Sequence, residues 1–420
     1  MTTGSTFAEK VLARHADQPQ VKPGEIVRVQ PNVALSHDNT AAIAGIFQSM
    51  GGHKVFDPEV NAIFLDHAAP PPTTKHADNH KAIRAFVQDQ DIENFFEVGR
   101  GICHQVLVEE GLALPGEIVL GSDSHTPHAG VMGAFAAGIG RTEMASVWAL
   151  GEIWLRVPES LKIQVSGNLK FGVTAKDLAL AVLAELGADG ALYMSVEWDG
   201  ETIHTLSISE RSVLPNMMAE MGAKNSVIPV DQVTLDYLSG RAKRSFEPVF
   251  PDPDAHYQKI VDLEVSTLQP LIAAPHRVDN VFPLREFAGT KIDQAFLGTC
   301  TNGRLEDLQA AAALLEGRTV HPNVRFYVIP ASSHILQDAV RNGTIKTLLE
   351  AGAVIGTPGC GPCMGNHMGV PATGEVTVST ANRNFQGRMG TKDSEIYLAN
   401  PLVVTASAIT GELTHPEELI

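Results

Sequence analysis

Short apolar runs rich in β-branched residues alternate with Ala- and Leu-rich stretches through much of this 420-residue chain, and that alternation constrains its fold more than any other feature. "NAIFLDH" is followed by "HKAIRAFVQDQ", then by "NFFEVG", "CHQVLVEEG" and "EIVLGSDSH". Strand, helix and strand in that order predict βαβ units, hence an α/β fold of mainly parallel sheets covered by helices. In such sheets functional groups gather where strands end. Here Asp66 and His67 close one apolar run, and Asp123, Ser124 and His125 close another. A chain of this length outgrows a single core, so two or three domains are expected. The texture changes near residue 160, at "VPESLKIQVSGNLKFGVTAKDL". The Pro-rich segments "EPVFPDPDAHY" and "LIAAPHRVDNVFPL" set a second boundary near residue 275. The expected units are therefore residues 1–160, 161–275 and 276–420, with no internal repeat and no low-complexity tail.

Charge and hydropathy remove several functional classes. The formal charge is −17, from 31 basic and 48 acidic residues, which opposes binding to nucleic-acid phosphates or anionic membranes. No apolar run approaches the roughly 18 residues of a membrane span. The N-terminus lacks a basic segment followed by an apolar one, and Thr6 and Glu9 have the spacing of a helix capping box. A cytoplasmic protein is the expectation.

Four cysteines, Cys103, Cys300, Cys360 and Cys363, are too few for a disulfide framework in so long a chain. Cys300 ends "AFLGTCTNGR", a strand end turning into a helix start, while Cys360 and Cys363 lie in the Gly/Pro turn "GTPGCGPCMGNH". A helix-like stretch, "RLEDLQAAAALLEG", and a strand, "VRFYVIPAS", separate them, so the three thiolates could meet at one sheet edge. That set is compatible with a zinc site completed by a histidine, a redox CxxC pair, or an iron–sulfur cubane on three cysteines. Two small buried residues in a turn would be the plainest alternative. Cys103, with apolar flanks, is expected to be buried and not a ligand.

The polar candidates are His67 with Asp66, His104 in "GICHQVLVEEG", and Asp123, Ser124 and His125 in "GSDSHTPHAG". A carboxylate that orients and charges an imidazole makes a general acid near neutral pH, and Asp66, Asp123 and Glu220 could each serve one histidine. Asn216 and Glu220 stand at i and i+4 and share a face if helical. Arg383 and Arg388, in the polar loop "STANRNFQGRMG", offer forks that fit a di- or tricarboxylate. His15, His37, His53, His76, His80, His128 and His367 are read as helix caps or core hydrogen-bonding groups.

Together "GSDSHT", "GTCTNGR", "GTPGCGPCMG" and "NRNFQGR" have the order and spacing found in the aconitase superfamily. Over essentially its whole length the chain resembles the large subunit of that superfamily's two-subunit isopropylmalate dehydratase branch. The resemblance implies three α/β/α domains around one [4Fe-4S] cluster held by Cys300, Cys360 and Cys363, with one iron free of cysteine. It implies that His67 with Asp66 protonates a departing hydroxyl, and that His104 with Asp123 and His125 with Glu220 are further charge-oriented histidines. Ser124 and Asn216 correspond to polar groups of the active-site shell, and Arg383 and Arg388 to substrate-carboxylate contacts.

The activity implied is dehydration and rehydration of a malate-type hydroxy acid, as in the 3-isopropylmalate step of leucine biosynthesis. Dimethylmalate, citramalate, maleate-type and homoaconitase chemistry are alternatives on the same scaffold, and an iron–sulfur sensor is an alternative of another class. The mobile fourth domain of aconitases, which carries the serine base, has no counterpart before the chain ends, so a separate small subunit is expected to bring it. Two departures bear on the substrate. Ala42, in "SHDNTAAIAG", is expected where aconitases carry a substrate-contacting glutamine, and "DHAAPPPTTKH" lacks the Asn-Val-Pro-Thr run common in isopropylmalate dehydratases.

Overall fold

The computed structural model describes residues 4–365 and 367–420. Three helix-flanked sheets carry the chain. In the first, strands lie in the order Asn94–Phe96, Asn61–Phe64, Val33–Ser36, Ile118–Gly121 and Phe135–Gly138, every neighbouring pair parallel. Three of these strands are buried at every position, as expected of parallel strands covered on both faces. The second sheet, also parallel, has the order Asn225–Val227, Ser195–Asp199, Ser160–Ser166 and Lys259–Glu264.

The third sheet has seven strands. Its parallel part runs Glu395–Leu398, Val376–Ser379, Gln294–Leu297, Arg325–Val328 and Val354–Ile355. Leu271–Ala273 and Val281–Pro283 extend one edge in antiparallel pairing. Leu271–Ala273 thus lies N-terminal to the boundary near residue 275 expected from the Pro-rich segment. A small antiparallel ribbon, Ile26–Val29 with Ile153–Arg156, closes the flank of the first sheet.

Strand order positions the site. In the first sheet the chain moves outward from Val33–Ser36 through Asn61–Phe64 to Asn94–Phe96, then returns to Ile118–Gly121 on the other side. In the third it moves outward from Gln294–Leu297 and returns to Val376–Ser379. Each reversal opens a crevice beyond the carboxyl ends of two adjacent strands. One apolar core joins the sheets, with Phe64, Trp198 and Phe296 all fully buried in it. A second core lies under the helices of the first sheet, where Phe86 stacks on Trp148 at 5.0 Å between ring centroids. The Thr6–Glu9 capping box is formed, each residue's side chain accepting the other's backbone N–H. Among the described residues no helix is long and apolar enough to cross a membrane.

Candidate active site

Three neighbouring strands of the first sheet each end in histidine and aspartate. His37 and Asp38 follow Val33–Ser36, Asp66 and His67 follow Asn61–Phe64, and Asp123 to His125 follow Ile118–Gly121. His67 Nδ1 lies 2.7 Å from Asp66 Oδ1, and its Nε2 lies 3.5 Å from Asp123 Oδ2. His104, in the first turn of helix Cys103–Glu109, places Nε2 2.8 Å from Asp123 Oδ1. His125 reaches Glu220 Oε1 at 2.7 Å and gives its backbone N–H to Asp123.

Burial opposes charge on His67 and Asp123, but their neighbours outweigh it. The carboxylates of Asp66 and Asp123 overcome the burial of His67 and hold its imidazole well above its ordinary value. Hydrogen bonds from His104, His125 and His67 in turn hold Asp123 well below the usual carboxylate range, despite its burial. His37 stacks on His67 with centroids 4.1 Å apart. Burial, then the neighbouring His67 charge, bring its value down to about 4, so it is neutral at neutral pH.

His37, Asp38, Asp66 and His67 bring potential ligand atoms within 4.8 Å of one another, yet their lone pairs are largely spent. Asp38 Oδ2 accepts the backbone N–H groups of Asp66 and His67, and Oδ1 accepts from Ala68 N–H and lies 2.6 Å from His80 Nε2. This is a brace for the Asp66–His67 turn.

The third sheet supplies the opposite wall. Cys300 follows Gln294–Leu297, Cys360 and Cys363 occupy the turn after Val354–Ile355, and Asn382 to Arg388 follow Val376–Ser379. Thr299, just before Cys300, adopts φ +76°, a costly conformation for a β-branched residue. Its hydroxyl meets that of Thr301 at 2.7 Å, and Thr301 donates to the Thr380 carbonyl. Arg383 gives Nε to both oxygens of Glu220 and Nη2 to Ser124 Oγ at 2.9 Å, tying the two walls together.

Between the walls is a cavity of about 180 Å³ lined by His67, His104, Asp123 and His125 on one side and by Cys300, Cys360, Cys363, Arg383 and Arg388 on the other. A roomier cleft of about 830 Å³ lies beside the N-terminal helix, but the thiols, imidazoles and guanidiniums converge here. Asp66, Ser124 and Glu220 stand directly behind the lining and orient it.

Asn216 is fully buried in the shell of this cavity: its side chain hydrogen-bonds Cys300, its Oδ1 accepts from Asn382 Nδ2 at 2.9 Å and its Nδ2 meets His128. Two sequence expectations need correction. Ala42 does not reach the cavity: helix Thr40–Ser49 buries Thr40, Ile43, Ala44 and Phe47, which leaves Ala42 exposed on the other face. His37, read as a structural histidine, lines the cavity instead. Asn382 was also missed. Its Nδ2 lies 3.3 Å from Cys300 Sγ, and Cys363 Sγ lies 3.7 Å from its Oδ1. Its place beside Arg383 in the "NRNFQGR" loop was the available signal, as the strand end before it was for His37. Cys103 is fully buried and gives its backbone N–H to Asp66 Oδ2.

The donor set fits a soft metal group. Three free cysteines meet in one cavity, and N–H donors face two of the sulfurs: Asn382 at Cys300, and Arg388 Nη2 at 3.7 Å from Cys363 Sγ. Burial pushes the Cys300 thiol up to about 11 and that of Cys360 well above its ordinary value. Both are therefore neutral thiols at neutral pH unless a metal displaces the proton.

Comparison with known proteins identifies the family. The model of the aconitase family (aconitate hydratase) matches residues 9–290 and 286–411. A 3-isopropylmalate dehydratase large subunit from Methanopyrus kandleri is 49% identical, the match covering 98% of this chain and 99% of that one. A probable methanogen homoaconitase large subunit from Methanosarcina mazei is 50% identical over 92% of this chain and 98% of that one. Among solved structures, aconitase X from Thermococcus kodakaraensis shares the fold, with a TM-score of 0.52 at 12% identity, covering 92% of this chain and 91% of that one. With a family model spanning nearly all of its length and relatives about half identical end to end, the chain belongs to the aconitase family.

Proposed function

We propose that this chain is the large, cluster-bearing subunit of an iron–sulfur hydro-lyase that reversibly dehydrates a malate-type hydroxy acid, 3-isopropylmalate first among the candidates. The observation that carries this reading is the pairing of a three-thiol wall with a wall of carboxylate-paired imidazoles across one small cavity, in a chain nearly half identical to a 3-isopropylmalate dehydratase large subunit. Cys300, Cys360 and Cys363 would hold one [4Fe-4S] cluster. When bound, that cluster supplies a Lewis-acidic iron free of cysteine, suited to a hydroxyl and its neighbouring carboxylate.

The chain's own residues take the remaining roles. His67, kept protonated by Asp66 and Asp123, hands its proton to the leaving hydroxyl oxygen and recovers it in the reverse direction. His104 and His125, fixed by Asp123 and Glu220, hold hydrogen bonds to the reacting groups. Arg383 and Arg388 receive substrate carboxylates, with Ser124 and Glu220 keeping Arg383 in place. Asn216 belongs behind them as a support for Asn382. The base that takes the carbon-bound proton is assigned to a small subunit carrying the swivel domain, in keeping with the "large subunit" names of the relatives. The reading places the enzyme in the cytoplasm, with no nucleic-acid or membrane partner.

A homoaconitase-type activity is the second reading, favoured by the half-identical Methanosarcina relative. The test is anaerobic reconstitution with iron, sulfide and the small subunit encoded by the same genome, followed by ultraviolet assay of alkene formation from 3-isopropylmalate, homocitrate, dimethylmalate, citramalate and malate. Fastest turnover of 3-isopropylmalate, dependent on both subunits, is expected. Faster turnover of homocitrate would select the second reading, and turnover of none of them by an iron-loaded complex would overturn both.

A further inference from the structure

Lys176 is among the most completely buried charged residues in the chain, with no exposed surface, yet it takes no part in the chemistry described above. It lies in the first turn of helix Ala175–Leu186, capped by Thr174. A cation there faces the positive end of the helix dipole and is disfavoured. Its Nζ donates to the Thr380 carbonyl at 3.0 Å and the Ala381 carbonyl at 2.7 Å, with Met217 Sδ at 3.6 Å. Among the described residues it forms no ion pair. The adjacent Asp177 is engaged elsewhere, accepting from Leu271 N–H, Asn400 Nδ2 and the Thr174 cap.

A buried ammonium without a counter-ion is expensive, so its position needs a reason. The carbonyls that Lys176 grips immediately precede Asn382, whose amide touches Cys300 Sγ, and Arg383. Across the same site a second buried cation, Arg304, clasps the carbonyls of Cys300 and Thr301.

We infer that Lys176 is a positioning residue for the cluster: it pins the wall that carries Asn382 and Arg383 through two carbonyls, and it supplies the counter-charge for the metal-bound thiolates. This rests on the reading of Cys300, Cys360 and Cys363 as cluster ligands. A nearby cation stabilises the reduced, more negative cluster, so removing it lowers the reduction potential. In the apoprotein the same removal relieves an unbalanced charge.

The test compares unaltered protein with Lys176→Met and Lys176→Gln, the latter keeping an N–H donor without the charge. Each is reconstituted anaerobically, and three quantities are read: thermal midpoint of the apoprotein, rate of iron loss to a chelator, and midpoint potential of the cluster. Lys176→Met is expected to leave the apoprotein at least as stable and to lose iron about tenfold faster. Its reduced-to-oxidised ratio at fixed potential should fall about tenfold, or roughly 59 mV for one electron. Lys176→Gln is expected to show the same potential shift with slower iron loss than Lys176→Met, and it carries the comparison if the methionine variant does not fold. Unchanged potential and iron retention in a folded variant would overturn the inference, as would a loss of apoprotein stability with an unaltered cluster. Failure of the unaltered chain to take up iron and sulfide would overturn the three-cysteine reading itself, and is told apart because it precedes any substitution.

Discussion

The two walls of the cavity reach order by opposite routes. On the first-sheet wall each imidazole proposed as catalytic already has its carboxylate: His67 has Asp66, His104 has Asp123 and His125 has Glu220. The chain alone fixes these donors before any ligand arrives. On the third-sheet wall burial leaves neutral thiols at Cys300 and Cys360, while Arg388 faces Cys363 and Lys176 and Arg304 lie farther back. One wall is preorganised by pairs it contains; the other, on the proposed reading, is completed by a metal.

The largest effect should come from breaking the second wall. Cys360→Ser is expected to abolish iron retention and lower activity by more than about a thousandfold, the order expected when a catalytic metal centre is lost. Circular dichroism should remain unchanged, because the imidazole wall does not depend on the thiol. Cys103→Ser, also buried but engaged by Asp66 rather than by the other thiols, should keep its iron. Equal iron loss in both variants would mean that ligation does not distinguish the two cysteines, and would overturn the reading of Cys103 as a non-ligand.

A smaller effect should come from the first wall. Asp66→Asn is expected to retain iron while kcat falls roughly a hundredfold, within the range of a positioned general acid. The folded value of His67 is raised, so its stabilising contribution is complete below about pH 6.5 and disappears as pH rises through the elevated folded value. Removal of the Asp66 charge lowers that value. The alkaline limb of the dehydration rate should therefore move to lower pH, and an unmoved limb would remove His67 as the acid.

The smallest effect should fall outside both walls. Glu197, buried in strand Ser195–Asp199 of the second sheet, accepts from Phe7 N–H and Tyr257 Oη, and burial pushes its value up to about 7. A carboxyl with a raised folded value contributes stability below its unfolded value, near 4.5, and loses it as pH rises through 7. Glu197→Gln should flatten the fall in thermal midpoint between pH 5 and 8, a change on the order of 3 kcal/mol, without altering the dependence of activity on pH. A shifted activity profile would show that the walls are not electrically separate from this anchor.

Much of this was legible because strand ends and motif loops mark chemistry in sequence. Asp66–His67 and Asp123–His125 followed apolar runs, and the cysteine and arginine loops were recognisable by spacing. His37 obeyed the same strand-end rule, after "NVAL", but was judged as an isolated histidine; only the sheet order sets its strand between the other two. Ala42 failed for a geometric reason, since one helical position decides between the face that packs inward and the face in solvent. Asn216 shows what spacing leaves open: it predicts a face, but how far that face stands from a cavity depends on what packs between, here Asn382. Lys176 was hidden by its surroundings: Thr174 and Asp177 form an ordinary capping box around a residue type that is almost always exposed.

Asp123 lies within 4.0 Å of imidazole nitrogens from His37, His67, His104 and His125. His37 and His67 also stack on each other, and two stacked imidazoles that share one acid do not titrate as independent residues. The apparent constant of the alkaline limb will therefore belong to the pair and its carboxylate. A substitution at His37 should shift the limb that His67 supplies, although His37 does not itself supply it.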